Sequence, residues 1–350
     1  MQVEIVRGLR ALERLEPDWW RLFRSARAPT PFQSPAWLLP WCRHLGRGEP
    51  LAIAIRDGGE LVALAPFSID EEDGARVLRP LGEGVTDICD ALLASARDRD
   101  LAETLLGALA GLSGWERCEW SGIPHDSHLI AAAKPWRPSC SEEVAPVLPL
   151  AHGAREVTQA VPRGMAENIE ACRKRAEKFG PLSFQAASGP DCGSFLDVLF
   201  ALHAARWASS GEAGVLAHPA VQAFHREALP ELIGAGLARI HLVRIGERVA
   251  AAHYGLAAGR AHFYYIGGYD PGLRAAGPGN LAVAHAIGRA LAEEAQAFQF
   301  LRGDEPYKRR WGAQPIALVT LSFTPLAMRP GNPRAAAPVP ANACRRADPT

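Results

Sequence analysis

Two short stretches of the chain gather residue types that can do chemistry. In Arg274-Ala275-Ala276-Gly277-Pro278-Gly279-Asn280 an R-x-x-G-x-G spacing follows an apolar strand pattern ending at Tyr269 and leads into a helical pattern over residues 281–297. Glycines let a backbone approach a ligand, and N–H groups opening a helix carry partial positive charge, so the turn can hold a pyrophosphate without a dedicated lysine. A plain tight turn uses the same residues. Arg274, Gly277, Gly279 and Asn280, with Gly268 at the end of the preceding strand, are the candidate cofactor-binding residues. The second stretch is Arg302-Gly303-Asp304-Glu305-Pro306-Tyr307-Lys308, directly after an apolar run at 298–302. Asp304 or Glu305 can take a proton from an attacking amine, and Tyr307 can deliver one to a leaving group. Lys308, one of four lysines, can hold a substrate carboxylate or phosphate. Against this, Asp304-Glu305-Pro306 can simply cap a helix that starts near Tyr307.

The elements that must position these residues follow from periodicity. Alternation predicts strands at 239–245, 248–257 and 261–269, with turns at Gly246-Glu247 and Ala258-Gly259. A helix, a short strand near 298–302 and a closing strand at 316–323 come next. Residues 162–178 read as a linking helix, and 193–209 as a second helix with Phe195, Val198, Leu199, Leu202 and Arg206 at helical spacing. Three antiparallel strands, a phosphate-type turn, a helix and another strand are the order of the Gcn5-related N-acetyltransferase (GNAT) fold, in which such a turn holds the pyrophosphate of coenzyme A. Gly267-Gly268 then allow either the backbone distortion that an oxyanion donor needs or a bulge without a catalytic role.

The first half repeats this trace. Gly59-Glu60-Leu61-Val62-Ala63-Leu64-Ala65 parallels Gly246-Glu247-Arg248-Val249-Ala250-Ala251-Ala252. Strand patterns at 75–81 and 90–94, a helix at 98–112 and an apolar run at 117–122 follow. No R-x-x-G-x-G accompanies them, so the first copy reads as degenerate. The expected fold class is therefore α/β (α+β): tandem GNAT-like lobes with mixed, mostly antiparallel sheets flanked by helices. The expected boundaries are a degenerate lobe at 1–150, a catalytic lobe at 151–325 and a disordered Pro-, Ala- and Arg-rich tail at 326–350.

At several blocks the chain resembles the CelD/BcsL-type acetyltransferases, associated with cellulose biosynthesis and related to the FemAB peptidoglycan aminoacyl ligases. The blocks are Pro31-Phe32-Gln33-Ser34-Pro35-Ala36-Trp37 with Trp41, Leu202-His203-Ala204-Ala205-Arg206-Trp207, Gly268-Tyr269-Asp270-Pro271 with Gly277-Pro278-Gly279, and residues 300–312. The resemblance spans about residues 30 to 320 and departs at the linking helix, where Glu167-Asn168-Ile169-Glu170 precedes Arg173-Lys174-Arg175 in place of a dense basic run. It implies that His203, Arg206 and Trp207 line an acceptor pocket, with packing as the plain alternative for His203 and Trp207. His253, Tyr265 and Arg302 complete the candidate substrate-binding set.

Composition narrows the partners. With 38 basic and 38 acidic residues no global field favours nucleic acid or an anionic membrane. The seven scattered cysteines contain no C-x-x-C, which suits a reducing compartment and argues against a metal site. No run of apolar residues is long enough to span a bilayer, and the start of the chain lacks a basic-then-apolar leader, so a cytoplasmic protein is expected. The reading is an acyl-CoA-dependent acyltransferase, using acetyl-CoA or another acyl-CoA, that moves its acyl group to an amine, or a hydroxyl, of a small-molecule, sugar or polysaccharide or envelope precursor. Its alternatives are a FemAB-like ligase using aminoacyl-tRNA and a non-catalytic scaffold.

Overall fold

Runs of alternating apolar residues in the first part of the chain form strands β1 (Gln2–Arg7), β2 (Glu49–Asp57), β3 (Glu60–Glu72), β4 (Ala75–Pro80), β5 (Leu92–Leu93) and β6 (Arg117–Pro124). Helices α1 (Leu9–Arg14), α2 (Glu16–Ser25), α3 (Pro35–His44), α4 (Asp98–Gly111) and α5 (His128–Ala133) accompany them. The computed structural model describes residues 1–94, 97–208 and 211–325. Its contacts divide them into one unit of residues 1–144 with 316–325 and another of 145–315. The expected tail at 326–350 lies outside the described residues.

The second unit contains the end of β7 (Ser139–Pro149) followed by α6 (Val157–Ala160), α7 (Arg163–Glu177), β8 (Leu182–Ala186), α8 (Cys192–Ala208), α9 (Pro219–Gly234), β9 (Ala238–Ile245), β10 (Arg248–Ala258), β11 (Ala261–Tyr269), α10 (Pro278–Ala292), β12 (Ala297–Gln299) and α11 (Pro306–Arg310). Its strand order is β7-β12-β11-β10-β9-β8, antiparallel except for the β11–β12 pair. β13 (Gln314–Phe323), expected at residues 316–323 to close the sheet, is not the neighbour of β12. It pairs antiparallel with β6 in the first unit, from Leu318↔Pro124 to Phe323↔Cys118. Val147, Leu148 and Pro149 of β7 stand beside β12 instead. Apolar periodicity marks β13 as a strand but carries no information about which edge it completes.

The duplication shows in the strand register. In each unit a hairpin closes on a two-residue turn, at Asp57↔Glu60 and at Ile245↔Arg248, and one residue bulges just beyond it, Val62 in β3 and Ala250 in β10. In each, a strand, a helix and a parallel strand follow, β4-α4-β6 and β11-α10-β12. The two diverge after β4. There the chain returns beside β6, with Cys89 N–H donating to the Gly122 carbonyl at 2.9 Å and Trp120 Nε1–H donating to the Cys89 carbonyl at 2.7 Å. The first unit thus fills the space beside its own parallel strand. Its helix α4 also opens on Asp98 and Asp100, which place negative charge where an anion would approach.

Alternation along β10 assigns the two faces of the second sheet. His253 stacks beside His241, which meets His285 of α10, while Tyr254 meets His225 of α9. α10 is buried along Val283, Ile287 and Leu291 in a core with Met165, Ile169, Phe298, Phe300 and Trp311. α8 packs on β11 at Gly268, where an added Cβ would lie 2.7 Å from His203 N and 2.9 Å from Leu202 C. Gly268→Ala is therefore expected to destabilise by about 1–3 kcal/mol through overpacking. Gly288→Ala, in the interior of α10 with nothing within 4 Å of the new methyl, is expected to stabilise by up to about 1 kcal/mol. Urea midpoints of the two variants check the contrast.

Candidate active site

β11 and β12 pair at only three positions, Ala261↔Ala297, His262↔Phe298 and Phe263↔Gln299, and then part. Phe300 N–H donates to the carbonyl of Pro146 in β7 at 2.8 Å, and Leu301 and Gly303 adopt φ of +59° and +104°. From Tyr264 onward the edge of β11 is no longer paired with β12. On its other side β11 carries a bulge: Tyr254 pairs with Ile266 and Gly255 with Tyr264, leaving Tyr265 as the extra residue. The backbone distortion is thus at Tyr265, upstream of the expected Gly267-Gly268. Gly268 gives α8 its close approach, and Gly267 makes room for the Tyr264 hydroxyl, which lies 2.6 Å from where a Cβ would stand. The bulge also sets faces. Tyr264 and Tyr269 are an odd number of residues apart, and the extra residue brings both to the same side of the sheet.

At the end of β11 the chain turns into α10. Gly277 is its N-cap with φ +69°, Pro278 takes the first helical position, where its missing N–H costs nothing, and no acidic side chain lies in the first turn. A Cβ on Gly277 would lie 2.5 Å from Cys172 Sγ, so this glycine admits α7 and leaves no approach for a ligand on that side. Arg175 donates from Nε to the Ala275 carbonyl at 2.9 Å and from Nη2 to Cys172 Sγ at 3.1 Å, and the Asn280 side chain also turns toward that sulfur. Gly279 is different, since an added Cβ would make only ordinary contact with Tyr269 Cδ1 at 3.6 Å. The N–H groups of Gly279 and Asn280 belong to the first turn and have no intrahelical acceptor, so an anion can meet them from the Tyr269 side. Arg274 is exposed.

Tyr269 links this corner to α8. The Arg206 guanidinium lies 5.7 Å from the centre of the Tyr269 ring and 5.6 Å from that of Trp207. Trp207 Nε1–H donates to His203 Nε2 at 2.9 Å, which leaves the imidazole proton on Nδ1. Burial, helped by the Arg206 charge, lowers the His203 pKa to about 4, so this ring is neutral at pH 7. Tyr307 and Tyr264 lie near Phe300 at ring distances of 6.4 and 6.3 Å. Burial raises the pKa of both phenols against an opposing Arg206 charge, so both stay protonated at neutral pH.

The remaining candidates are held elsewhere. Asp304 is exposed and ion-paired with Arg309. Glu305 pairs with Lys308 at 2.8 Å. Lys308 is not a free hand for a substrate anion: it is 3% exposed and its Nζ donates to the carbonyls of Leu301, Arg302 and Gly303 at 3.2, 2.6 and 3.0 Å. Arg302 is half-buried in that same loop. His253 sits under α10, stacked on Tyr264, and Tyr265 faces α9 against His225 and Tyr254, so these two candidates point to opposite faces of the sheet. Sequence reasoning missed Tyr264, Tyr269 and Arg175. A bulge that decides which tyrosines share a face leaves no mark in alternation. Among the described residues no cluster of His, Cys, Asp and Glu can hold a metal, and no helix is long and apolar enough to cross a membrane.

The profile of a family described as "Acetyltransferase (GNAT) domain" matches residues 163–309, the segment that carries the split, the bulge and the α10 turn. This segment is a GNAT-type acyltransferase domain. Solved structures agree in fold over most of the chain. FemX is similar with a TM-score of 0.64 and 10% identity, covering 87% of this chain and 95% of its own. The C-terminal domain of a protein described as a lysylphosphatidylglycerol synthetase from Agrobacterium fabrum gives 0.59 and 10%, covering 88% and 92%. L-PGS from Bacillus licheniformis gives 0.58 and 10%, covering 87% and 90%. Comparison with curated proteins gives no match.

The buried histidines make the stability of this unit sensitive to acid. Burial lowers His225 and His241 to about 3 and His285 to about 4, alongside His203 at about 4. In the unfolded chain each titrates near 6.5, so below that pH the unfolded state binds protons that the native state refuses. Stability is then full above about pH 7 and falls by about 1.4 kcal/mol per pH unit for each such histidine as pH drops from 6.5 toward 4. Urea titrations from pH 8 to 4.5 are expected to show this decline, with a shallower slope in His225→Phe. A flat profile between pH 7 and 5 would contradict it.

Proposed function

We propose that this chain transfers an acyl group from an activated carrier to an amine or hydroxyl of an acceptor, with the chemistry in the cleft between β11 and β12. The observation that carries this reading is the opened strand edge from Tyr264 to Tyr269, which runs from a main-chain bulge to the N-terminus of α10. An extended acyl carrier laid along this edge would find N–H donors for its reacting carbonyl and, at Gly279 and Asn280, helix amides for an anionic group, with Arg206 beside them. Tyr307, protonated at neutral pH, is suited to return a proton to the leaving oxygen or sulfur. Asp304 and Glu305 are engaged in ion pairs, so either serves as a base only if its pair opens.

Two carriers compete. An aminoacyl ester, the donor type of the FemAB ligases that the sequence resembles, is supported by the likeness in fold to FemX, to the lysylphosphatidylglycerol-synthetase domain and to L-PGS over most of the chain. It is also supported by α7. That helix narrows the turn at Gly277, where Cys172 takes the space a ligand would need on that side. A coenzyme A thioester is the second reading, supported by the acetyltransferase family match and by the open approach to Gly279. The finer kinship with CelD/BcsL-type enzymes, and an acceptor from polysaccharide or envelope assembly, rest on the sequence blocks alone.

Calorimetric titration with coenzyme A and filter binding with aminoacyl-tRNA separate the carriers. Gly279→Val is expected to weaken the true donor by about tenfold or more, equivalent to about 1.4 kcal/mol, without changing the urea midpoint by a similar amount. Tyr307→Phe is expected to lower kcat by about 10²-fold or more at unchanged donor affinity. Failure of both donors to bind, or full turnover in Tyr307→Phe, would overturn the corresponding part of the reading.

A further inference from the structure

Two parallel strands with facing edges gain hydrogen bonds by continuing to pair, so the parting of β11 and β12 after Phe263 and Gln299 needs a cause. The residues that would extend β12 are Phe300 to Gly303. Their backbone is turned aside: Leu301 has φ +59°, a region that disfavours a side chain with Cβ. Gly303 has φ +104°, and the space a Cβ would need there is taken by the Glu305 carboxylate, with Oε2 2.5 Å away. At the centre of this turn is Lys308 Nζ, which reaches the carbonyls of residues 301, 302 and 303 and lies 2.8 Å from Glu305 Oε2. An ammonium has three donors, and buried charge is tolerated only where its partners are supplied. The three carbonyls use every donor, so none remains for a ligand, and Glu305 Oε2 meets the charge as an ion pair.

We infer that Lys308 is a positioning residue: by gathering the carbonyls of Leu301, Arg302 and Gly303 it holds the chain after β12 away from β11 and keeps the β11 edge from Tyr264 onward open for the acyl carrier. Naming the occupant rests on the acyltransfer reading, whereas the wedge itself does not. Arginine is no substitute, because its planar fork cannot converge on three carbonyls turned toward one point. Glu305 and Gly303 belong to the same device, the first by neutralising the ammonium and the second by leaving room for that carboxylate.

The test uses the full chain carrying Lys308→Met and, separately, Gly303→Ala, which disturbs the wedge without removing the lysine. Hydrogen exchange of peptides covering 264–267 and 300–303 is read by mass spectrometry, alongside steady-state kinetics for donor and acceptor. In both variants exchange is expected to fall at 264–267 and at 301–303 as the freed strand pairs with β11. Donor kcat/KM is expected to drop about tenfold or more through KM, with acceptor KM little changed. Unchanged exchange at 264–267, or a loss of kcat alone, would overturn the inference. If Lys308→Met fails to fold, Gly303→Ala decides by the same two measurements. Absence of turnover in the unmodified chain with every donor would count against the proposed function, while the exchange measurement would still judge the wedge.

Discussion

Main-chain N–H and C=O groups that leave a sheet must find partners, and this constraint shapes the second unit. β11 and β12 begin as a parallel pair and separate after three residues. On the β12 side the released carbonyls meet Lys308, while Phe300 N–H finds the carbonyl of Pro146 in β7. On the β11 side Tyr264 lies near Phe300, and the Tyr269 ring lies near the Arg206 guanidinium of α8. In the proposed function, the helix amides of α10, the Arg206 guanidinium and the two protonated phenols share a place to act because the sheet opens there.

The same plan in the first unit shows what closes such an opening. Both units carry the hairpin with a bulge beyond its turn and the strand-helix-strand crossover. After β4, however, the chain folds back along β6 through Cys89, and Trp120 bonds to it. Acidic residues occupy the start of α4, where α10 has glycine and no acid. The two copies therefore differ at the positions where a ligand would need main-chain groups and positive potential, while the scaffold around those positions is shared.

Much of this was legible from residues alone. The strands at 239–245, 248–257 and 261–269 and the helices near 162–178 and 193–209 agree with β9, β10, β11, α7 and α8 to within a residue or so, because their apolar periods are long and Gly246 and Gly259 mark the turns. The turn at Gly277 was legible as a helix start, but its reason was not. A glycine that admits a ligand and one that admits Cys172 look alike in sequence. Lys308 shows the same limit. Its type suggested a hand for an anion, and only the left-handed turns at Leu301 and Gly303 reveal that its partners are carbonyls. His253 and Tyr265 were placed near the cleft because their strands flank it, but alternation and one bulge send them to opposite faces.

The course of β13 bears on how the protein is made. β6 is complete at residue 124, yet its neighbour in the sheet arrives with residues 318–323. During synthesis from the N-terminus, the first unit must wait with an unpaired strand edge while the whole second unit is translated, and such an edge is a template for wrong pairing. Contacts this distant in sequence also slow folding, since their loop must close before they contribute. Any truncation before residue 318 removes a structural member of the unit encoded first.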